Sequence, residues 1–413
     1  MVNQVFGEGG QFDPSSAAFA ADPYTVYNAL RELNAPFFYP PMGMHLLARY
    51  ADVDLAARNP HMLRSANTLL SAEEIADAQR AVNWHDMPNH QRFVQFSLLE
   101  TDGAVHQRLR RLVLREFSKT LIERHRNMIQ RYVDALFDEL LQRREIDFIA
   151  DLAAHIPGHV IGRVLGVPDG DCPQLRVWSE NVVQFFDVER TDEHKQLAEQ
   201  ATTEFYHHLL ELISQRRTTP RNDLLTTLVM AHQAGELDET ELISTSMLIL
   251  MAGHGSTIDV LGTGMYALLR HPDQMAHLRA QPRWMPTAVQ EMFRYESPLP
   301  FFHRYAGEPV TVMGRQYPAG TKFGLLYGSA NRDPAYFPAA DQFDAGRSPN
   351  RHLAFGRGAH LCLGNNLARL DMEIIFTTLL QRCRRIELLD DQPRYRAGLA
   401  SRGLHSLRIK LVT

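Results

Sequence analysis

Cys362 is the residue in this chain best placed to do chemistry. It lies in Phe355-Gly356-Arg357-Gly358-Ala359-His360-Leu361-Cys362-Leu363-Gly364, and a helical run from Asn365 to Arg382 follows at once. A thiol just ahead of a helix meets the positive end of the dipole and free N–H groups, which favour the thiolate. A thiolate is a ligand for soft metal ions. The glycines let the backbone approach something flat and close, and Phe355 offers an aromatic lid. A cysteine without such surroundings is ordinarily a small buried hydrophobe; the spacing sets Cys362 apart.

Four other groupings matter. His106 and Arg110 stand four apart, so on a helix they share one face and form a paired-donor patch suited to a carboxylate. Taken alone, the pair reads as a solvated basic helix. Ala252-Gly253-His254-Gly255-Ser256-Thr257 sits inside the longest helical candidate, Asp238 to Arg270. Two glycines in a buried helix cost about 1 kcal/mol each against alanine. They indicate tight helix packing, a bend, or something that must come close. Glu291 and Arg294 share a helix face, a pattern common on surface helices, and Arg347 lies further on in Asp341-Gln342-Phe343-Asp344-Ala345-Gly346-Arg347. His303-Arg304-Tyr305-Ala306 follows a proline-rich turn that ends in Pro300, Phe301 and Phe302.

The spacing Phe-x-x-Gly-x-x-x-Cys-x-Gly, with His360 two before the cysteine, resembles the haem-binding loop of the cytochrome P-450 superfamily, soluble bacterial type. The resemblance runs from about residue 17 to the end and rests on five motifs in the right order. It implies haem b with Cys362 as axial thiolate, Phe355 and Gly364 against the cofactor, and His106, Arg110, Arg304 and His360 on its propionates. Dioxygen is the implied co-substrate. The central helix of the family carries Ala-Gly-x-(Asp/Glu)-Thr; here the acid falls on Gly255 and the threonine on Ser256, with Thr257 next. Ser256 and Thr257 are therefore the implied catalytic hydroxyls. Gly255 cannot relay a proton, and His254 is 100° around the helix from it. Glu291, Arg294 and Arg347 resemble the family's buried structural cluster. Leu248, Met251, Ala252, Pro300, Phe301 and Phe302 fall where the family contacts substrate, residues 64 to 100 where it covers the pocket, and Gly398 to Leu404 at a second contact loop.

The implied activity is monooxygenation: one oxygen atom from O2 enters a lipophilic small molecule by hydroxylation or epoxidation, in secondary metabolism. Electrons come from a ferredoxin with its NAD(P)H reductase, since no flavin or nicotinamide domain is present. Arg111, Arg115 and Arg357 would receive that acidic partner, or simply solubilise the surface. The substrate is free or carrier-bound. Two alternatives stand beside this reading. One is a haem-thiolate enzyme for peroxide-driven oxidation, oxidative coupling, desaturation or rearrangement, which Gly255 keeps open. The other is a non-catalytic binding domain, against which the intact Cys362 loop argues.

The bulk numbers agree. The chain has 413 residues, 45% hydrophobic, with 43 basic and 48 acidic residues. A net charge of −5 is no nucleic-acid footprint. Cys172, Cys362 and Cys383 are too few and too far apart for a disulfide framework or zinc cluster. No leader pattern opens the chain, and no apolar run approaches the roughly 20 residues of a membrane span. The expectation is a cytoplasmic monomer with no membrane or nucleic-acid partner.

The elements that must position these residues are mostly helical. Helices are expected over 119–144, 147–166, 194–217, Asp238–Arg270 and Trp284–Ser297, and a short one over Ser71–Val82. Leu165-Gly166-Val167-Pro168 is a stop signal. Asp238 with Glu241 reads as a capping box. Met44 to Tyr50 reads as a strand, with a helix from Asp52, and Val310 to Leu326 as strands with turns at Met313-Gly314 and Pro318-Ala319-Gly320. The expected fold is mainly α with a smaller β-rich part from residues 36 to 60, 306 to 326 and the C-terminus, as one domain over 1–413 with a flexible stretch at 1–16. Haem is expected between the helix from Asp238 and the helix from Leu363.

Overall fold

A computed structural model describes residues 12–95, 97–183, 185 and 190–413. The helices that bear on function are α1 (Pro23–Glu32), α2 (Tyr50–Arg58), α3 (Gly103–Leu114), α4 (Arg126–Arg143), α5 (Ile156–Leu165) and α6 (Cys172–Val183). They continue with α7 (Asp192–Thr218), α8 (Glu239–Ala252), α9 (Gly255–Arg270), α10 (Met285–Tyr295) and α11 (Asn365–Arg382). The strands are β1 (Phe37–Tyr39), β2 (Met44–Leu47), β3 (Met62–Leu63), β4 (Glu145–Asp147), β5 (Phe301–Ala306), β6 (Val310–Val312), β7 (Arg315–Tyr317), β8 (Lys322–Leu326), β9 (Arg385–Leu388) and β10 (Arg408–Val412). The chain is thus mainly α with a smaller β part, as the sequence leads one to expect. It forms two compact units. One takes residues up to Leu63, His125–Ala154 and Ser256–Thr413; the other takes Arg64–Arg124 and His155–Gly255.

The first unit carries all the strands. Its main sheet runs β1-β2-β8-β5-β3, with β2 and β8 parallel and the other neighbours antiparallel. Side chains alternate across β5, as strand geometry demands. Phe301 enters a core with Tyr27, Leu30, Met44 and Leu326. Phe302 packs on the opposite cluster around Leu47, Val53, Phe323 and Tyr327. The β6–β7 hairpin turns at Met313 (φ 48°) and Gly314 (φ 74°), both left-handed. That is the type I′ geometry whose twist suits a hairpin. Helix α4 buries Ile129, Val133, Phe137 and Leu140, one stripe at helical spacing. It lies against α11, where Gln130 Nε2 donates to Thr378 Oγ1 at 2.9 Å.

The second unit is helical. Helix α8 opens with both halves of a capping box, Asp238 and Glu241. Glu241 also accepts from Arg108 of α3 at 2.5 and 3.0 Å, which holds the start of α8 to α3. Helix α5 ends at Gly166, φ 102°, where a left-handed residue is needed and glycine supplies it. Near its other end α8 meets α5 at very close range. A Cβ on Gly158 would stand 2.5 Å from the His254 ring, and one on Gly253 would stand 2.8 Å from Ile161.

Three boundaries differ from expectation. The run Asp238–Arg270 is two helices, because the backbone turns at Gly253-His254 between α8 and α9. Residues 147–166 contain a π turn, Phe148–Ala153, before α5. Helix α2 begins at Tyr50, where Asp333 Oδ2 accepts from the Tyr50 N–H at 2.8 Å, and not at Asp52. The short helix expected over Ser71–Val82 is present as Ala72–Ala81, with Ser71 and Glu74 completing its capping box. The described end of the first sixteen residues is packed, with Phe12 buried against Phe19 and Tyr39 and Ser16 capping the Ala17–Ala21 helix. Residues 1–11, Phe96 and Phe186 lie outside the described residues.

Candidate active site

The cysteine loop is built from close backbone contacts. Cys362 N–H donates to Phe355 O at 2.8 Å, which closes the loop on itself. Gly356 (φ 66°) and Gly358 (φ 71°) are both left-handed. A Cβ on Gly358 would stand 2.6 Å from Ala57 O of α2, so a side chain there is excluded by conformation and by space. Cys362 is half-buried, and a Cβ added at Gly364 meets nothing within 4 Å. On the closed side, Asn365 Nδ2 donates to Cys362 O at 2.7 Å and Arg369 Nη1 donates to Asn365 Oδ1 at 2.7 Å. The Arg369 guanidinium lies 4.7 Å from the centre of the Phe355 ring, and Phe293 sits on that ring at 4.4 Å. Arg369 also interacts electrostatically with Cys362. It escaped the sequence reading, although it lies one turn past Asn365 on the helix that the loop feeds.

The same unit holds His360, half-buried, and Arg304, buried on β5 with its Nη1 donating to His303 O at 2.9 Å. Ser256 is half-buried and Thr257 is 5% exposed, so the two hydroxyls stand on different faces of α9. Pro300 is buried and Phe302 half-buried. Phe301, expected beside Phe302 on the substrate, turns into the core, because neighbouring strand residues cannot share a face. Glu291, Arg294 and Arg347 come together. Both Glu291 oxygens accept from Arg294 at 2.7 Å and from Arg347 Nε at 3.1 Å. Arg294 also donates to Asn331 O at 2.9 Å and Ala340 O at 2.8 Å.

In the other unit His106 is buried and Arg110 half-buried on α3, one turn apart. Past its first turn helix α8 is buried except along one line. Leu248 is half-buried, Ala252 is exposed, and beyond the turn Gly255 is exposed, with nothing within 4 Å of an added Cβ. Met251, expected on that line, is buried 100° away from it. His254 is 2% exposed, and burial lowers its pKa from 6.5 to about 4, so the ring is neutral.

The sequence profile of the family described as Cytochrome P450 matches residues 173–282 and 283–410. The chain belongs to the cytochrome P450 family. "Polyketide biosynthesis cytochrome P450 PksS" of Bacillus subtilis (strain 168) is 33% identical over 410 residues, 97% of this chain and 98% of that protein. "Cytochrome P450 monooxygenase PikC" of Streptomyces venezuelae is 36% identical over 373 residues, 88% of this chain and 85% of that protein. Among solved structures, P450BioI in complex with hexadec-9Z-enoic acid ligated acyl carrier protein superposes with a TM-score of 0.88 at 30% identity, covering 96% of this chain and 99% of that one. This P450 is thus a monooxygenase, an oxidoreductase of the haem-thiolate kind that uses dioxygen. No described helix is long and apolar enough to cross a membrane.

The residues present fit haem. The donor set is one half-exposed sulfur in a loop whose glycines leave its open side flat, and Gly364 faces free space there. In the helical unit, the accessible line on an otherwise buried helix ends in glycine, which leaves room where a side chain would intrude.

Proposed function

We propose that this P450 inserts one oxygen atom of O2 into a lipophilic small molecule of secondary metabolism, by hydroxylation or epoxidation. The observation that carries it is the Cys362 loop, clamped by Phe355 and Arg369 on one side and open on the other. Cys362 would be the thiolate ligand. His106, Arg110, Arg304 and His360 are the donors that would hold the propionates, with Phe355 and Gly364 against the macrocycle. Bound haem supplies dioxygen activation and oxygen transfer, which a thiolate ligand favours.

The chain's own residues do the rest. The cysteine loop fixes the ligand. Leu248 and Ala252 of the one unit, and Pro300 and Phe302 of the other, are the residues that would meet the substrate. Ser256 offers a hydroxyl that both donates and accepts, and so can pass a proton. Electrons would arrive from a ferredoxin and its NAD(P)H-dependent reductase, and the enzyme would work in the cytoplasm as a monomer. None of the three cysteines is in a disulfide, which suits a reducing compartment. PksS by its name serves polyketide biosynthesis, and P450BioI by its title takes a fatty acid on a carrier protein. A polyketide or acyl chain, free or on a carrier, is therefore the class to test first.

Optical titration of the ferric protein with free acids, polyketides and their carrier-bound forms tests this. A compound that binds beside the haem would shift the Soret band. A shift only with carrier-bound compounds makes the carrier part of the substrate. A protein that forms product with peroxide and never with dioxygen and a reductase would overturn the monooxygenase reading in favour of the peroxide-driven one.

A further inference from the structure

Helix α9 is apolar except along one line. Ser256, Asp259, Thr263, Tyr266 and Arg270 follow at intervals of three and four, which places them on a single face. Thr257 is the other polar residue that can bear a proton. The line starts at half-buried Ser256, passes through fully buried positions, and ends at exposed Arg270.

Asp259 is its centre. The carboxylate is 4% exposed and meets the guanidinium of Arg396, whose side chain is 41% exposed. Gly403 presses against both: a Cβ there would run into Asp259 Oδ1 and Arg396 Nη2. Arg396 N–H donates to Gly403 O at 2.9 Å, which holds the two strands of this C-terminal loop around the carboxylate. One turn further along α9, Thr263 opens onto a cavity of about 330 Å³. Tyr266 and Arg270 line it from α9, and His271, Glu296 and Tyr395 form the rest of its wall. Tyr395 is the residue before Arg396. The cavity is polar and roomy enough for several waters. Along this face of α9 the buried acid comes one turn after Ser256 and one turn before the residues that line the cavity.

We propose that Asp259, paired with Arg396, replaces the acid missing at Gly255 and supplies protons to Ser256 from the cavity at the far end of α9. This rests on the monooxygenase reading, in which each oxygen insertion consumes two electrons from the external donor and two protons and releases water. The Asp259 carboxyl gives its proton to a water or directly to Ser256 Oγ, and Ser256 passes its own hydroxyl proton onward. The carboxylate recovers a proton from cavity water. No bond other than O–H forms or breaks, and the charge left on Asp259 is countered by Arg396 until it is reprotonated. Burial, opposed by Arg396, raises the Asp259 pKa from 3.8 to about 6, so the donor form is populated near neutrality. Arg396 is the charged group that faces it; Glu296 is engaged by Arg402 at 2.5 Å and Arg332 at 3.9 Å. Asp259 acts through Ser256 and leaves the iron ligand and the propionate donors untouched.

The test compares wild type with Asp259→Asn, isosteric and able to keep the neighbour of Arg396. Product formed per reductant consumed, its pH dependence and its solvent isotope effect are measured with the holoenzyme. The infrared carbonyl band of protonated carboxyls is followed by pH titration of the ferric resting protein. Wild-type coupling should fall as pH rises through about 6. Asn should lower product formation on the order of 10²-fold, the scale of one general acid. It should also flatten that limb and delete a titrating carboxyl band. If Asn fails to take up haem, Arg396→Gln serves: loss of the opposing charge raises the carboxyl pKa further and moves the limb to higher pH, and Arg396→Lys restores it. A wild type that couples well while both variants keep its yield, limb and band overturns the inference and leaves Asp259 as an anchor for the C-terminal loop. A wild type that makes product only with peroxide overturns the monooxygenase reading instead, and the infrared titration still decides whether Asp259 is the titrating acid.

Discussion

Glu291 and Arg294 bond through two parallel contacts of 2.7 Å, and neither side chain has any exposure to solvent. Arg347 adds a second cation at 3.1 Å, while Asn350 Nδ2 and the Asp344 N–H donate to the same carboxylate at 3.0 and 2.9 Å. Every lone pair of Glu291 is thereby used, and Arg294 spends its other donors on the carbonyls of Asn331, Ala340 and Gln342. The cluster is a knot that joins α10 to the long loop ahead of Cys362.

Removing one member leaves uncompensated buried charge. Glu291→Gln should destabilise the holoprotein by about 3–5 kcal/mol, the range for breaking a buried ion pair on one side. Arg347→Gln should cost less, because that side chain is 9% exposed and water can reach it. Urea unfolding followed by the Soret band and by far-UV dichroism measures both. A Glu291→Gln protein as stable as wild type would mean that the surrounding donors, not the charge, hold the loop.

The contrast between this knot and Asp259 shows what the sequence makes legible. Cys362, His106 and Glu291 sit in local patterns with fixed spacing, and each pattern specifies its own geometry. The broken central helix was readable as two glycines, though not where the backbone turns. Asp259 with Arg396 was not readable, because the two lie 137 positions apart and neither has a signature of its own. Phe301 and Phe302 look alike in sequence, and only the strand's register shows that they pack on opposite sides of the sheet. The i, i+3, i+7 polar line on an apolar helix was the available signal for Asp259.

Gly358→Ala should cost the protein its haem. Its backbone is left-handed and the new Cβ would press on Ala57 O at 2.6 Å, so either α2 or the loop must move. Strain of this kind is worth about 1–3 kcal/mol, small against folding but enough to displace Cys362. The expected outcome is a folded protein with reduced haem content. Cys362→Ala should instead abolish the spectral signature of thiolate ligation while haem can still enter. Haem content per chain and the reduced carbon-monoxide spectrum separate the two; a Cys362→Ala protein that keeps the thiolate signature removes Cys362 as the ligand.

His254 should make the protein sensitive to acid. Burial against Gly158 lowers its pKa from 6.5 to about 4. The unfolded chain therefore binds a proton between pH 6.5 and about 4 that the folded chain refuses. Stability is untouched by this residue above pH 6.5, falls as the pH drops through that window, and levels off below it. The full loss is about 3 kcal/mol at 1.36 kcal/mol per pKa unit. His254→Phe, which keeps a ring in the same slot, should lower the acid-unfolding midpoint. An unchanged midpoint would show that other groups govern acid stability.

Ser256→Ala should lower the yield of product per reductant consumed without changing the substrate-induced Soret shift. Gly255 has no side chain, and Thr257 is 5% exposed on another face, so Ser256 is the one hydroxyl of this turn with open surface. Alanine has nearly the same volume and a better helix propensity, so the helix and the pocket should stay as they are while donor and acceptor capacity vanish. Electrons then arrive at the same rate, but protons do not arrive in the right place, and the reduced oxygen escapes as peroxide. Peroxide yield should rise by the amount that product yield falls. Ser256→Thr should preserve coupling, since it returns a hydroxyl. If Ser256→Ala couples as well as wild type, ordered water crosses this turn unaided, and the path from Asp259 would have to reach the oxygen without any hydroxyl of the protein.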